Sequence, residues 1–350
     1  MKTFLLSVFT FLVFNGYAAT YYFSSSTGDD SRTAAAAQNQ LTPWKTLQKF
    51  NSIAATLNPG DQVLFKRGDT FFGSITITKS GNAALPITIG AYGNGARPVI
   101  SGLESLGTGW TSLGGNKYER TCTDCPNYLN LLLVQDTIQP IGRYPKLTAP
   151  SGGYLYLNAH VGTFQISSNQ IAGIPNFVGG ELIIRPFGWI FNKATVNTQN
   201  SNSITYTPFV SPSHPNFTYE PQNGYGFFFQ NHINALTQNG DWMYDAVAKK
   251  IKVYFSTNPN NINIKVAKVE RLVNIPKQSY LRFEGLAFRG GNINAFSVDS
   301  ATNFVINDCE IDQVGGDGIY FNRKSSENTL SNSIITVSYT HLTLPTKRIV

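Results

Sequence analysis

Two stretches mix acids, amides, cations and aromatics most densely: "NINAFSVDS" at residues 292–300 and "DGIYFNRK" at residues 317–324. Asp317 and Asp299 are the candidate catalytic carboxylates, with Tyr320, Asn322, Arg323 and Lys324 as candidate substrate contacts. A pair of carboxylates suits hydrolysis of a glycosidic bond, one acting as acid and the other as nucleophile or base. Lyase chemistry would instead need a cation such as Ca²⁺ to neutralise a uronate, with Lys or Arg removing the adjacent proton. Plainer readings stand beside these: Asp317-Gly318 is a common turn dipeptide, Asp299 suits a solvated turn, and Glu310 and Asp312 suit a solvated face. His160, His214 and His232 lack metal-ligand spacing and read as surface or hydrogen-bonded side chains.

What positions these residues is a repeat of about 24 residues. Phe283, Ile306 and Leu330 recur at steps of 23 and 24, as do Phe288, Ile311 and Ile335, while Phe296 and Val298 match Ile319 and Phe321. With those residues inward, strand alternation turns Ser297 and Tyr320 outward and stacks Asp299 beside Asn322 and Asn294 beside Asp317. Gly285, Asp308 and Asn332 fall in one column and suit a left-handed corner between strands. The beat also appears early, where Val63 and Phe65 match Ile87 and Ile89, and Ile75 matches Val99. A period of this length with two or three short strands per turn predicts a right-handed parallel β-helix, each coil stacking at about 4.8 Å on the last.

Ahead of the coils, "TPWKTLQKFNSIAATLNPGD" predicts an amphipathic helix with Thr42 as N-cap, Pro43 at the first position, and Leu47, Phe50, Ala54 and Leu57 on one face. It would cover the open end of the coil column, where unpaired strand edges invite aggregation. Charged residues make up only 13% of the chain and aromatics 13%, which favours strands and turns. The net charge of +7 comes from scattered Lys and Arg, poor grounds for nucleic-acid binding.

"TYYFSSSTGDDS", "TPWKTLQKF" and "NPGDQVLFKRGDTFFGSITI" resemble the opening of secreted bacterial right-handed parallel β-helix proteins of the pectate-lyase-like superfamily. From about residue 103 to 275 the beat is lost to strand-like runs, which predicts an inserted β-rich module with a short turn near Asn231 to Leu236. Within it, "GYGFFFQNHINALTQNGDWMYDAVAKKIKVYF" and "GRYPK" resemble segments of β-helix glycoside hydrolases, with Asp241 where those have Glu and Met243 where they have Tyr. The aromatic runs "PFGWIF" and "GYGFFF" read as core, with Trp189 as a candidate sugar-stacking residue.

The resemblance implies an exported carbohydrate-active enzyme, a glycoside hydrolase before a lyase, with a non-catalytic glycan-binding or adhesin protein as the other reading. The expected partner is a polysaccharide or oligosaccharide, with no nucleic acid and no membrane span, and the protein is expected to be a monomer. Residues 1–18 follow the plan of a secretory signal, cleaved after Ala18. Residues 19–102 would hold the helix and first coils, 103–275 the module and 276–336 further coils. Cys122 and Cys125 in "TCTDCP" read as a local disulfide or two thiols. "VSYTHLTLPTKRIV", residues 337–350, resembles translated sequencing-adapter sequence and is expected to be non-native, interrupting the third late coil and excluding His341 from any mechanism.

Overall fold

The computed structural model describes residues 18–188, 190–209 and 219–336. The signal-like run, Trp189, His214 and the tail with His341 lie outside these residues. The described chain is mostly β, in six sheets, three of them parallel and three antiparallel. The first parallel sheet orders Thr20–Phe23, Gln62–Lys66, Ile87–Tyr92, Leu281–Glu284, Phe304–Asn307 and Thr329–Ser331. The second orders Thr70–Phe72, Val99–Ser101, Ala287–Arg289, Glu310–Asp312 and Ile334–Thr336, and the third Ile75–Thr76, Arg271–Pro276, Asn294–Asp299 and Asp317–Asn322. The chain visits the three sheets in turn and returns to the first, so each pass lies on the previous one. Inward residues of all three form one core that includes Val63, Phe65, Ile89, Phe283, Phe288, Phe296, Val298 and Ile311.

The late register follows the repeat residue by residue: Phe283 pairs with Ile306 and Ile306 with Leu330, Phe288 with Ile311 and Ile311 with Ile335, Phe296 with Ile319 and Val298 with Phe321. The early register differs. Val63 pairs with Ile89 and Phe65 with Ala91, two positions beyond the expected matches. A two-residue slip keeps the same side chains inward, so the hydrophobic pattern could not distinguish the two alignments. Ile75 does not meet Val99, which pairs with Thr70; it pairs with Val273, nearly two hundred residues on. Strand Arg271–Pro276 therefore belongs to the third parallel sheet and not to the inserted module.

Gly285, Asp308 and Asn332 do form a corner column, with φ of 67°, 52° and 49°. Two more columns carry positive φ, in residues that, Asn303 apart, disfavour it: Lys277, Ser300 and Arg323 after the third-sheet strands, and Tyr280, Asn303 and Glu327 before the first-sheet strands. A left-handed conformation costs a non-glycine residue about 1–2 kcal/mol. Here the three late passes repeat it, because stacked strands on both sides dictate the same corner.

The helix spans Leu47–Ile53 and is capped by Thr46, whose hydroxyl accepts from the Lys49 N–H and donates to Asp30. Thr42 does not cap it. The Trp44 N–H donates to the Tyr22 carbonyl and the Ser24 N–H to the Trp44 carbonyl, which holds the chain extended through Trp44. The expected face is buried all the same, at Leu47, Phe50, Ala54 and Leu57, against Phe23 and Phe65 beside the first coil.

Between the second and third parallel sheets the chain departs into the three antiparallel sheets. Its two ends are zipped together: Leu103 pairs antiparallel with Ala267 and Ser105 with Lys265. Gly102 joins this zipper to the stack, its N–H donating to Arg289 and its carbonyl accepting from Lys268. A Cβ on Gly102 would lie 2.3 Å from the Gly290 carbonyl oxygen. Inside the module Phe227, Phe228 and Phe229 are buried, as expected of core, and Ile233–Ala235 forms the short turn capped by His232 Nδ1. Cys122 and Cys125 form a disulfide. Gly102→Ala should destabilise the protein by about 2 kcal/mol or more, since backbone must move to relieve the clash; an unchanged urea midpoint would contradict this description of the junction.

Candidate functional site

The third parallel sheet carries three lateral rows, each made by one strand position repeated from pass to pass. One row runs Arg271, Asn294, Asp317; the next Thr76, Asn274, Ser297, Tyr320; the last Pro276, Asp299, Asn322. The second and third rows alternate outward, whereas the first, at the strand entrances, has the parity of inward Val273 and Phe296 and buries Asn294. Both expected pairings, Asn294 beside Asp317 and Asp299 beside Asn322, are present. Tyr320 is 44% exposed, and Arg323 and Lys324 are exposed beyond the strand end. Phe321 lies beside fully buried Val298 but is itself 48% exposed, in the outermost described strand of its sheet.

Asp299 accepts a hydrogen bond from the Ser300 hydroxyl and lies 3.7 Å from Arg323 Nε. Asn322 accepts from the Arg323 N–H, so Asp299, Asn322 and Arg323 form one polar group at the exit of the strands. Asp317 stands at the other end. Its side chain makes no hydrogen bond or ion pair among the described residues, and loss of surrounding water raises its pKa above the usual aspartate value although the residue as a whole is exposed. Five strand positions separate its row from that of Asp299, which is about 16 Å at strand rise. Carboxylate pairs in glycosidases sit about 5–9.5 Å apart. Asp299 and Asp317 thus lie on one sheet, at opposite strand ends and on positions of opposite parity, without forming a working pair.

The row containing Asp317 extends back to Arg271, two strands away and so at a backbone separation of about 10 Å. Glu270 precedes it, exposed, 3.5 Å from the Arg271 guanidinium. Sequence reasoning missed Glu270 and Arg271 because they follow the long module. The signal was present in the step of 23 from Asn294 to Asp317, which carried back one pass lands on Arg271.

A module segment walls this end of the surface. Fully buried Asn292 accepts from the Asn130 N–H through Oδ1, donates through Nδ2 to the Tyr128 carbonyl, and receives Asn130 Nδ2 on its own carbonyl. Asn130 also packs against Gly315, where a Cβ would approach to 2.8 Å. Tyr128, 50% exposed, consequently flanks the strand entrances that carry Asn294 and Asp317.

Asp241 is no free acid. It is 4% exposed; its Oδ2 accepts from the Thr237 and Gln238 N–H groups and from Lys146 Nζ, which also donates to the Ala235 carbonyl. This clamp joins "GRYPK" to "QNGDWMYD". His232 is held below its ordinary pKa, first by burial and then by Lys117 and Lys252. Among the described residues no group of three His, Cys, Asp or Glu side chains could hold a metal ion, and no helix is long and apolar enough to cross a membrane.

No protein-family model matches the chain. A lacto-N-biosidase of Bifidobacterium longum subsp. longum is 44% identical over 95 residues, covering 26% of this chain and 6% of that protein. Among solved structures, one described as a glycoside hydrolase superposes with a TM-score of 0.64 at 15% identity, over 86% of this chain and 63% of its own. A GH136 lacto-N-biosidase from Eubacterium ramulus aligns with 91% of this chain and 34% of its own, at a TM-score of 0.37 and 16% identity. The first superposition shows a shared fold. This chain spans only a small part of the curated relative and less than two thirds of each of these solved chains.

Removing one member of a buried ion pair leaves the other uncompensated and costs about 3–5 kcal/mol. Lys146→Met and Asp241→Ala should each approach that loss in chemical unfolding. The double variant should cost clearly less than their sum, and simple additivity would refute the clamp.

Proposed function

We propose that these residues belong to an exported glycoside hydrolase acting on a polysaccharide or oligosaccharide, built on a right-handed parallel β-helix of the pectate-lyase-like kind. The sequence match to a lacto-N-biosidase carries this reading, and the polar rows on the third parallel sheet give it a surface. That relative's name makes a lacto-N-biose-releasing activity the first to test. No relative or neighbour reported above is named as a lyase. Export is supported by the signal-like N-terminal run and by the Cys122–Cys125 disulfide, which suits an oxidising compartment.

On this surface a glycan lies across the rows. Asn274, Ser297, Tyr320 and Asn322 offer hydroxyls and amides to sugar hydroxyls, while Tyr128 and Tyr320 offer ring faces. Asp317 is the acid of choice, because a carboxyl with raised pKa keeps its proton nearer neutrality and can deliver it to a leaving oxygen. Glu270, not Asp299, is the partner carboxylate whose position comes closest to the separation of an inverting pair. Asp299, tied to Ser300 and beside Arg323, contacts substrate.

The wide spacing of Asp317 and Asp299 favours one alternative, a surface that binds glycan without cleaving it. Product analysis on neutral and acidic oligosaccharides, including one ending in lacto-N-biose, separates the two. Asp317→Asn and Glu270→Gln should each lower kcat by about a hundredfold or more, while Asp299→Asn should chiefly raise KM. Binding with no product from any substrate would leave the binding reading in place.

Asp317 also has a stability signature. Its folded pKa lies above its unfolded value, so its contribution is most favourable below the unfolded value and is lost as pH rises through the folded one. Asp317→Asn should remove that decline in unfolding free energy, and as general acid the same group should make activity fall over the same rise in pH.

A further inference from the structure

The antiparallel module contains a cavity of about 390 Å³ whose walls include Arg143, Lys146, Thr148, Asn234, Thr237 and Gln238. That volume lies at the small end of the roughly 300–1,000 Å³ range of ligand pockets. The cavity contains two cations of different status. Lys146 is neutralised by Asp241. Arg143 is 6% exposed and has no carboxylate partner among the described residues.

The contacts of Arg143 are specific. Nε donates to the Pro145 carbonyl at 3.1 Å and Nη2 to the Gly153 carbonyl at 2.6 Å, and the guanidinium lies 3.7 Å from the centre of the Phe228 ring. Nη1 has no acceptor among the described residues. Burial pushes the Arg143 pKa down to about 10, only partly offset by Tyr154, whose ring centre lies 5.6 Å from the guanidinium. A buried charge of this kind is ordinarily matched by an anion. At the rim, Thr148, Thr237 and Gln238 are exposed, and their side chains make no hydrogen bond among the described residues, which leaves them available to hydroxyls.

We propose that this cavity binds an acidic monosaccharide residue, its carboxylate on Arg143 Nη1 and its ring hydroxyls on the Thr148, Thr237 and Gln238 side chains. The site is separate from the rows on the third parallel sheet, and it stands whether or not that surface cleaves glycans. It equips the module to hold an acidic sugar of the same or a neighbouring chain.

Isothermal titration calorimetry on the full chain tests this with sodium galacturonate, galactose and sodium acetate as probes. Galacturonate should bind at least about tenfold more tightly than galactose, the scale of one charge-assisted hydrogen bond, and more tightly than acetate, which lacks the ring. Thr148→Trp, at the exposed rim, should abolish galacturonate binding, and Arg143→Gln should reduce it to the level of galactose. Should Arg143→Gln fail to fold, the rim variant and the three probes still decide. Equal binding of galactose or acetate, no saturable binding of galacturonate, or full binding by Thr148→Trp would each overturn the proposal. Glycan cleavage, scored separately, does not bear on any of these outcomes.

Discussion

Everything in this chain depends on the parallel stack closing across a departure of more than 160 residues. Ile87 must find Leu281, Val99 must find Ala287, and Ile75 must find Val273. Loop-closure entropy over such a span costs about 4–5 kcal/mol if the intervening chain is flexible. The module removes most of that burden by bringing its own ends together through the pairing of 103–105 with 265–267. Gly102 then hands the closed loop back to the stack through two backbone hydrogen bonds, in a space no side chain could share. The site inherits this constraint, since Arg271, Asn294 and Asp317 share a row only because the returning strand lands in register.

How much of this was legible follows from where sequence pattern meets a unique physical solution. Phe283, Ile306 and Leu330, or Gly285, Asp308 and Asn332, could be placed because each column carries residues suited to one environment. Val63 could not be placed to better than two positions, since either alignment buries the same side chains. Thr42 and Thr46 are both sound caps, and the choice fell to Trp44, whose indole Nε1 donates to Arg32 and whose ring is buried beside Phe23. The corners at Lys277, Ser300 and Arg323 had no residue signal, as stacking imposes them against local preference.

The site shows the same division. Lateral pairing of Asp317 with Asn294 and of Asp299 with Asn322 followed from the period. Distance along the strand separates their roles: one carboxyl stands alone and poorly solvated, while the other is tied into a polar group with Ser300 and Arg323. Glu270 and Arg271 escaped notice because the module intervenes, although they occupy the row that the period defines. Asp241, conspicuous in its motif, proved to be fully used in holding two module segments together.

The zipped ends of the module have an evolutionary consequence. Because the Gly102 carbonyl and the Lys268 N–H already meet at 2.9 Å, the chain leaves and rejoins the stack at one place, with further contacts from Asn130 to Asn292 and from Asp136 to Gln313. An insert that closes its own ends in this way leaves the register beneath it to the coils, so long as its replacement also meets buried Asn292. Lineages sharing the coils are therefore free to diversify recognition by swapping what hangs from this one stalk, while the scaffold below stays the same.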